Sequence, residues 1–139
     1  MENRIAIVCV DDNYGMLFNQ RRQSQDSILR SYILDLSKDA KLWMNSYSAN
    51  QFEESEQILV DEDFLTKAPS NDFCFVETID LVPYEDKIDK IILCHWNRKY
   101  PSTLKFNIPL QDHGWTGEVI AEFEGSSHKN IVVEEYSRN

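Results

Sequence analysis

From Phe18 to Asp26 the chain reads Phe-Asn-Gln-Arg-Arg-Gln-Ser-Gln-Asp, placing two guanidinium groups, four carboxamides, a hydroxyl and a carboxylate within nine residues. Planar donors and acceptors at this density can read a flat polar ligand such as a heterocycle or nucleotide. A solvated loop leading into a helix cap accounts for the same residues equally well. Asp11 and Asp12 together with Asp26 offer a second chemistry, Mg²⁺ held near a phosphate with help from Arg21 and Arg22. The plainer reading of these acids is a turn-forming pair and a carboxylate at the positive end of a helix. His95-Trp96-Asn97-Arg98-Lys99-Tyr100 sets aromatics beside cations, a stacking arrangement that an edge strand leaving its sheet explains as well.

Other reaction classes find no support. His95, His113 and His128 share no metal-ligand spacing. Asp61-Glu62-Asp63 reads as a turn and helix start. Gly125-Ser126-Ser127-His128 lacks the second glycine and the strand-to-helix setting of a nucleophile elbow, so it reads as a hairpin turn. Cys9 sits among apolar residues, with no base to activate it.

The whole chain sets bounds on these chemistries. Its 139 residues form one domain, 1–139, with 42% hydrophobic and 27% charged residues, an ordinary globular balance. A net charge of −10 opposes non-specific nucleic-acid binding, which depends on phosphate neutralisation by Lys and Arg. Arg21-Arg22 and Arg98-Lys99 are the two places where basic residues adjoin, and both read most simply as solvated surface charge. No apolar run reaches the ~20 residues of a membrane span, and the N-terminus lacks the pattern of a signal peptide. Cys9, Cys74 and Cys94, each within an apolar stretch, fit buried free thiols of a reducing compartment. These features give the expectation of an acidic cytoplasmic protein with no membrane partner.

The elements that must position the chemistry alternate in type. Ile5 to Val10 is a continuous apolar, β-branched run, the mark of a strand covered on both faces. Asp11 to Gly15 ends it in a turn. Ile28, Leu29, Tyr32, Ile33 and Leu36 fall at helical spacing, with Ser24 as the expected N-cap and Asp26 in the first turn. Ser48-Ala49-Asn50-Gln51 has the form of a capping box and predicts a short helix carrying Phe52. Helical turns are expected over 62–68 and 81–86. The predicted strands are 4–10, 41–44, 57–60, 73–76, 88–96, 117–123 and 130–136, with Asp89, Lys90 and His95 marking 88–96 as more exposed than the first. The result is an α/β domain with a mostly parallel central sheet and a C-terminal antiparallel hairpin. In such sheets ligands sit beyond the carboxyl ends of the strands.

Val10-Asp11-Asp12-Asn13-Tyr14-Gly15-Met16, followed by Asp26 at the head of an amphipathic helix, resembles the first quarter of dihydrofolate reductase. Leu42-Trp43-Met44-Asn45-Ser46-Tyr47-Ser48 occupies the place of that family's strand-to-helix phosphate loop. Tyr100-Pro101, Phe106, Trp115 and a closing hairpin ending Glu135-Tyr136-Ser137-Arg138 are also similar, so the element order is matched over almost the whole chain. The resemblance implies a carboxylate, Asp26, that binds a pterin ring. The departures are specific. Where the family has a Gly-Gly pair at its dinucleotide pyrophosphate, this chain has Glu77-Thr78, a carboxylate facing an anion. The family's Gly-Arg-x-Thr loop is replaced by Asn45-Ser46-Tyr47-Ser48, and its Pro-Trp pair by the region of Arg21-Arg22.

These readings converge on a dihydrofolate-reductase-like fold that has lost NADPH-dependent reduction, needs no cofactor, and binds a small polar ligand or a protein partner. The expected site comprises Asn13, Phe18, Arg21, Arg22 and Asp26, with Trp43 and Ser46 as neighbours. The alternative is an enzyme using the same pocket: a reductase with a rearranged cofactor site, or a Mg-assisted phosphate-ester hydrolase using Asp11, Asp12 and Asp26.

Overall fold

The computed structural model describes residues 4–138. Its centre is β1 (Arg4–Val10), whose side chains are buried on both faces for most of its length, as its unbroken apolar run predicts. β4 (Leu42–Met44), β5 (Ile58–Val60), β6 (Phe73–Phe75) and β7 (Ile88–His95) join it in parallel, and the antiparallel pair β9 (Trp115–Phe123) and β10 (Ile131–Arg138) completes the sheet. The order is β5-β4-β6-β1-β7-β10-β9, with β10 antiparallel to both its neighbours. All seven predicted strands are present.

Two apolar layers cover the sheet. On one face α1 (Ser27–Leu36) lays Leu29 and Ile33 over Ile7, Phe75 and Ile92. Full burial of each such side chain contributes about 1.5–3 kcal/mol. On the other face α3 (Phe64–Lys67), a 3₁₀ helix (Val82–Lys87) and the segment around Phe106 and Ile108 pack on Ala6, Val8 and Ile91. Arg4 is buried there and donates to the carbonyls of Thr66 and Ala68 at the end of α3, where a cation suits the helix dipole. Glu85 of the 3₁₀ helix accepts from the Trp115 indole N–H at 2.9 Å and from Arg138 at 3.2 Å, and it pairs with His113. It ties the end of β10 to the loop before β9.

β7 lies between β1 and β10, so it is an interior strand, although Asp89 is exposed and Lys90 and His95 are half-buried, which leaves it more exposed than β1 as its charges implied. Other details differ from expectation. The N-cap of α1 is Asp26, not Ser24: its carboxylate accepts from the Ile28 and Leu29 N–H groups. α2 (Ser46–Ala49) begins two residues before the predicted capping box, with Asn45 as its cap.

The largest addition is a second sheet, which a reading of 11–26 as turn and loop misses. β2 (Gly15–Phe18) pairs with β3 (Arg21–Arg22) and with β8 (Leu104–Lys105). Asn19 and Gln20 join β2 to β3 with φ of 49° and 63°, the two positive values of a type I′ hairpin turn. Gly15 is required where β2 begins, since a Cβ there would lie 2.6 Å from the Ser102 side chain.

Candidate functional site

Strand alternation on this hairpin sorts the two arginines. Leu17 pairs with Arg22 and Phe18 with Arg21, so each pair shares one side of the ribbon. Leu17 is buried and Arg22 half-buried, whereas Phe18 is 37% exposed and Arg21 is exposed. Arg22 is therefore not solvated surface charge. Its guanidinium makes two hydrogen bonds to Glu77, Nε to Oε2 at 2.7 Å and Nη2 to Oε1 at 3.0 Å. It also donates to the Tyr47 carbonyl and lies 4.7 Å from the centroid of that ring. The Tyr47 hydroxyl accepts from the Arg22 N–H at 2.6 Å, and the Ser48 hydroxyl donates to Glu77 at 2.8 Å.

Arg21, Arg22, Ser24, Gln25 and Tyr47 line an open depression of about 390 Å³ at the carboxyl edge of the sheet. The hairpin, the start of α1 and α2 meet there. The Gln25 carboxamide oxygen accepts from Arg30 at 3.1 Å, which leaves its amino group as a donor.

Asp26 follows Gln25 in the chain but turns into the protein, beside the enclosed space of Cys9, Leu29, Phe75 and Trp96. It is 2% exposed. Oδ1 accepts from the N–H groups of Ile28, Leu29 and Ser126 at 3.0, 3.2 and 2.9 Å. Oδ2 accepts from the Ser127 N–H and from His128 Nδ1, both at 2.9 Å. Burial pushes the Asp26 pKa up, but the Ser127 N–H, His128 and the Ser126 and Leu29 N–H groups outweigh it and hold the carboxyl far below the usual range. Because a carboxylate only accepts, Nδ1 of His128 carries a proton towards Asp26, which selects the tautomer whose acceptor nitrogen is Nε2. Nε2 lies 3.0 Å from the Ser24 hydroxyl and 3.0 Å from the Tyr100 hydroxyl. Trp96 stacks on the imidazole at a centroid distance of 4.4 Å.

The other expected residues are dispersed. Asn13 is exposed in the turn after β1. Trp43 packs on the sheet face opposite α1 and donates to Asp72 at 2.9 Å. Ser46 is exposed and donates its N–H to Glu62. Asp11 is buried as a turn carboxylate, accepting from the N–H groups of Asn13, Gly15 and Tyr100 at 2.8, 2.7 and 3.1 Å. With Asp11 and Asp26 consumed by N–H donors, the three acids do not form the Mg²⁺ site considered for them. Among the described residues no group of three or more His, Cys, Asp or Glu side chains is placed to hold a metal ion, and no helix is long and apolar enough to cross a membrane. The sequence reading missed Ser24 as a site residue, along with Tyr47, Glu77, Tyr100 and His128. Glu77 carried a signal as a carboxylate in an unexpected place, Ser24 lay within the polar run from Phe18 to Asp26, and Tyr100 lay within the aromatic and basic run from His95.

No family model and no curated protein matches this chain. Its architecture defines a class nonetheless: the fold is that of dihydrofolate reductase. A solved dihydrofolate reductase from Enterococcus faecalis, complexed with NADP(H) and RAB-propyl, superposes with a TM-score of 0.62 at 12% identity, over 99% of this chain and 96% of that one. This likeness corrects the expectation that no cofactor is implied, since the fold is one that takes NADP(H) in that enzyme. The residues at the end of β6 do not fit a pyrophosphate as they stand. Glu77 follows Phe75 and Val76, where the resemblance to dihydrofolate reductase sets the pyrophosphate, and its carboxylate is already taken by Arg22 and Ser48. The space enclosed by Cys9, Asp26, Leu29, Phe75, Glu77 and Trp96 is only about 10 Å³.

Proposed function

We propose that this protein is a ligand-binding domain on the dihydrofolate reductase fold, and that its ligand is a small polar anion of nucleotide type held in the depression of Arg21, Arg22, Ser24, Gln25 and Tyr47. The observation that carries the reading is the division of labour between the arginines. Arg22 is fixed by Glu77 and the Tyr47 ring, while Arg21, on the outward side of the same hairpin, keeps its guanidinium in the open depression. A guanidinium presented this way matches phosphate or carboxylate in two-point geometry, and the aromatic ring beside it offers a face for a heterocycle. NADP(H), the cofactor of the solved neighbour, belongs to the ligand class.

Hydride transfer from a nicotinamide to a pterin requires both rings in one crevice. The cavity of about 10 Å³ beside Asp26, and the engagement of both Asp26 oxygens, support binding without that reaction. Phe18, exposed on the same side as Arg21, favours a protein partner as the second reading.

The test is a thermal-shift and calorimetric panel of NADPH, NADP⁺, AMP, ATP, folate analogues and inorganic phosphate. At least one nucleotide should raise the melting temperature, since a ligand at 100 times its Kd stabilises by about 2.7 kcal/mol. Arg21→Ala should remove the response without changing the unliganded transition. A flat response across the panel overturns the binding reading, and steady NADPH-dependent reduction of dihydrofolate overturns the loss of hydride transfer.

A further inference from the structure

The geometry points to Ser24, His128 and Asp26 as a hydrolytic triad that cleaves small anionic esters in the Arg21–Tyr47 depression. The substrate class rests on the reading of that depression as the ligand site; the triad itself rests on three distances. Ser24 Oγ is 3.0 Å from His128 Nε2, His128 Nδ1 is 2.9 Å from Asp26 Oδ2, and Asp26 is held by four backbone N–H groups. This is the order of roles a serine nucleophile needs: a base within hydrogen-bond reach, and a buried carboxylate that fixes the base's tautomer and plane. Stacking on Trp96 leaves the imidazole little freedom to turn. Ser24 is half-buried and lines the open depression, whereas His128 and Asp26 are shielded from water.

The step balances without a further reactant. Ser24 Oγ attacks the ester carbonyl carbon as its proton passes to His128 Nε2. The tetrahedral intermediate collapses, the C–O bond to the leaving alkoxide breaks, and Nε2 returns the proton to it. Water then attacks the acyl-serine with Nε2 again as base, releasing the acid and restoring Ser24. The Arg21 guanidinium and the Gln25 amino group are the donors lining the depression that can meet the negative charge developing on the carbonyl oxygen. Tyr100 has one O–H to place, either on Ser24 Oγ at 3.4 Å or on Nε2 at 3.0 Å, and when it is placed on Nε2 it takes the lone pair that Ser24 needs. It sets the resting state of the site.

The test uses the full chain with a fluorophosphonate probe and two chromogenic esters, p-nitrophenyl acetate and p-nitrophenyl hemisuccinate. The probe should attach at Ser24, located by mass spectrometry, and labelling should vanish in Ser24→Ala. In His128→Asn the rate should fall about 10³-fold. Asp26 acts through His128, so Asp26→Asn should slow labelling per folded molecule, with the folded fraction read by circular dichroism; a purely structural clamp would leave that rate unchanged. The anionic hemisuccinate should be the better substrate, and Arg21→Ala should abolish the preference. Absence of labelling in a folded protein, or labelling that persists in Ser24→Ala, overturns the triad even where nucleotides bind. Labelling at Ser24 with equal rates on the two esters keeps the triad and overturns the anionic substrate class.

Discussion

Arg22 and Glu77 meet through two hydrogen bonds of 2.7 and 3.0 Å, and by meeting they close the carboxyl edge of the sheet between β1 and β6. Both side chains are largely shielded, at 16% and 8% exposure. Removing one partner strands the other charge, so Arg22→Met should destabilise by about 3 kcal/mol in urea unfolding. The double variant Arg22→Met/Glu77→Leu should recover a large part of that loss. Simple additivity of the two single variants would show that the pair is not coupled.

Asp26 gives the protein an acid-sensitive clamp. Its pKa is depressed in the fold relative to an ordinary value of about 3.9. Its contribution is therefore complete above about pH 4 and is lost as pH falls through the folded value. Asp26→Asn should lower stability at neutral pH by about 3 kcal/mol, because N–H groups directed at a carboxylate then face an amide. The variant's stability should also vary less below pH 4 than that of the parent, as measured by urea unfolding across pH.

Gly125 meets the same clamp from the hairpin side. A Cβ there would lie 2.3 Å from Asp26 Oδ2 and 2.8 Å from the Ile131 side chain. Neither neighbour can yield, since both are buried. Gly125→Ala should cost about 2 kcal/mol. Combined with Asp26→Asn it should cost less than the sum, and a thermodynamic cycle in urea measures the difference.

The β2–β3 turn is suboptimal at Gln20, which holds φ at 63° with a full side chain. Gln20→Gly should stabilise by about 0.5–1 kcal/mol. The gain should appear as a higher melting temperature with nucleotide response unchanged.

The cysteines should be inert in the native state. Burial pushes Cys74 up to about 12, and Cys9 is raised by its hydrogen bond to Cys94, its register partner on β7, and by burial. A thiol reagent at pH 8 should find almost no reaction until denaturant releases three equivalents.

Much of the frame is readable from residue order. The unbroken apolar run of β1 marks a central strand, and the alternation of strands and helices up to β7 marks the parallel half of the sheet. The polar density from Phe18 to Asp26 locates the hairpin that carries the arginines. Pairing across long separations is not readable. Nothing near Arg22 in sequence announces Glu77, 55 positions away, and nothing near Ser24 announces His128, 104 positions away. Read as a hairpin turn, Gly125 to His128 is placed correctly, yet only the crossing of that turn over the start of α1 gives His128 its partners. β2 and β3 escape a periodicity reading because strands of four and two residues offer too little alternation to detect.

The insertion of β10 between β7 and β9 bears on how the protein is made. During vectorial synthesis β9 leaves the ribosome before β10, yet β10 is its neighbour in the sheet. The nascent chain therefore carries an open edge at β7, and Asp26 at the head of α1 waits for the Ser126–His128 segment. Closure becomes a late, long-range event, slow by the nature of its loop entropy. The exposed β7 edge stays open to pairing with other chains until β10 arrives.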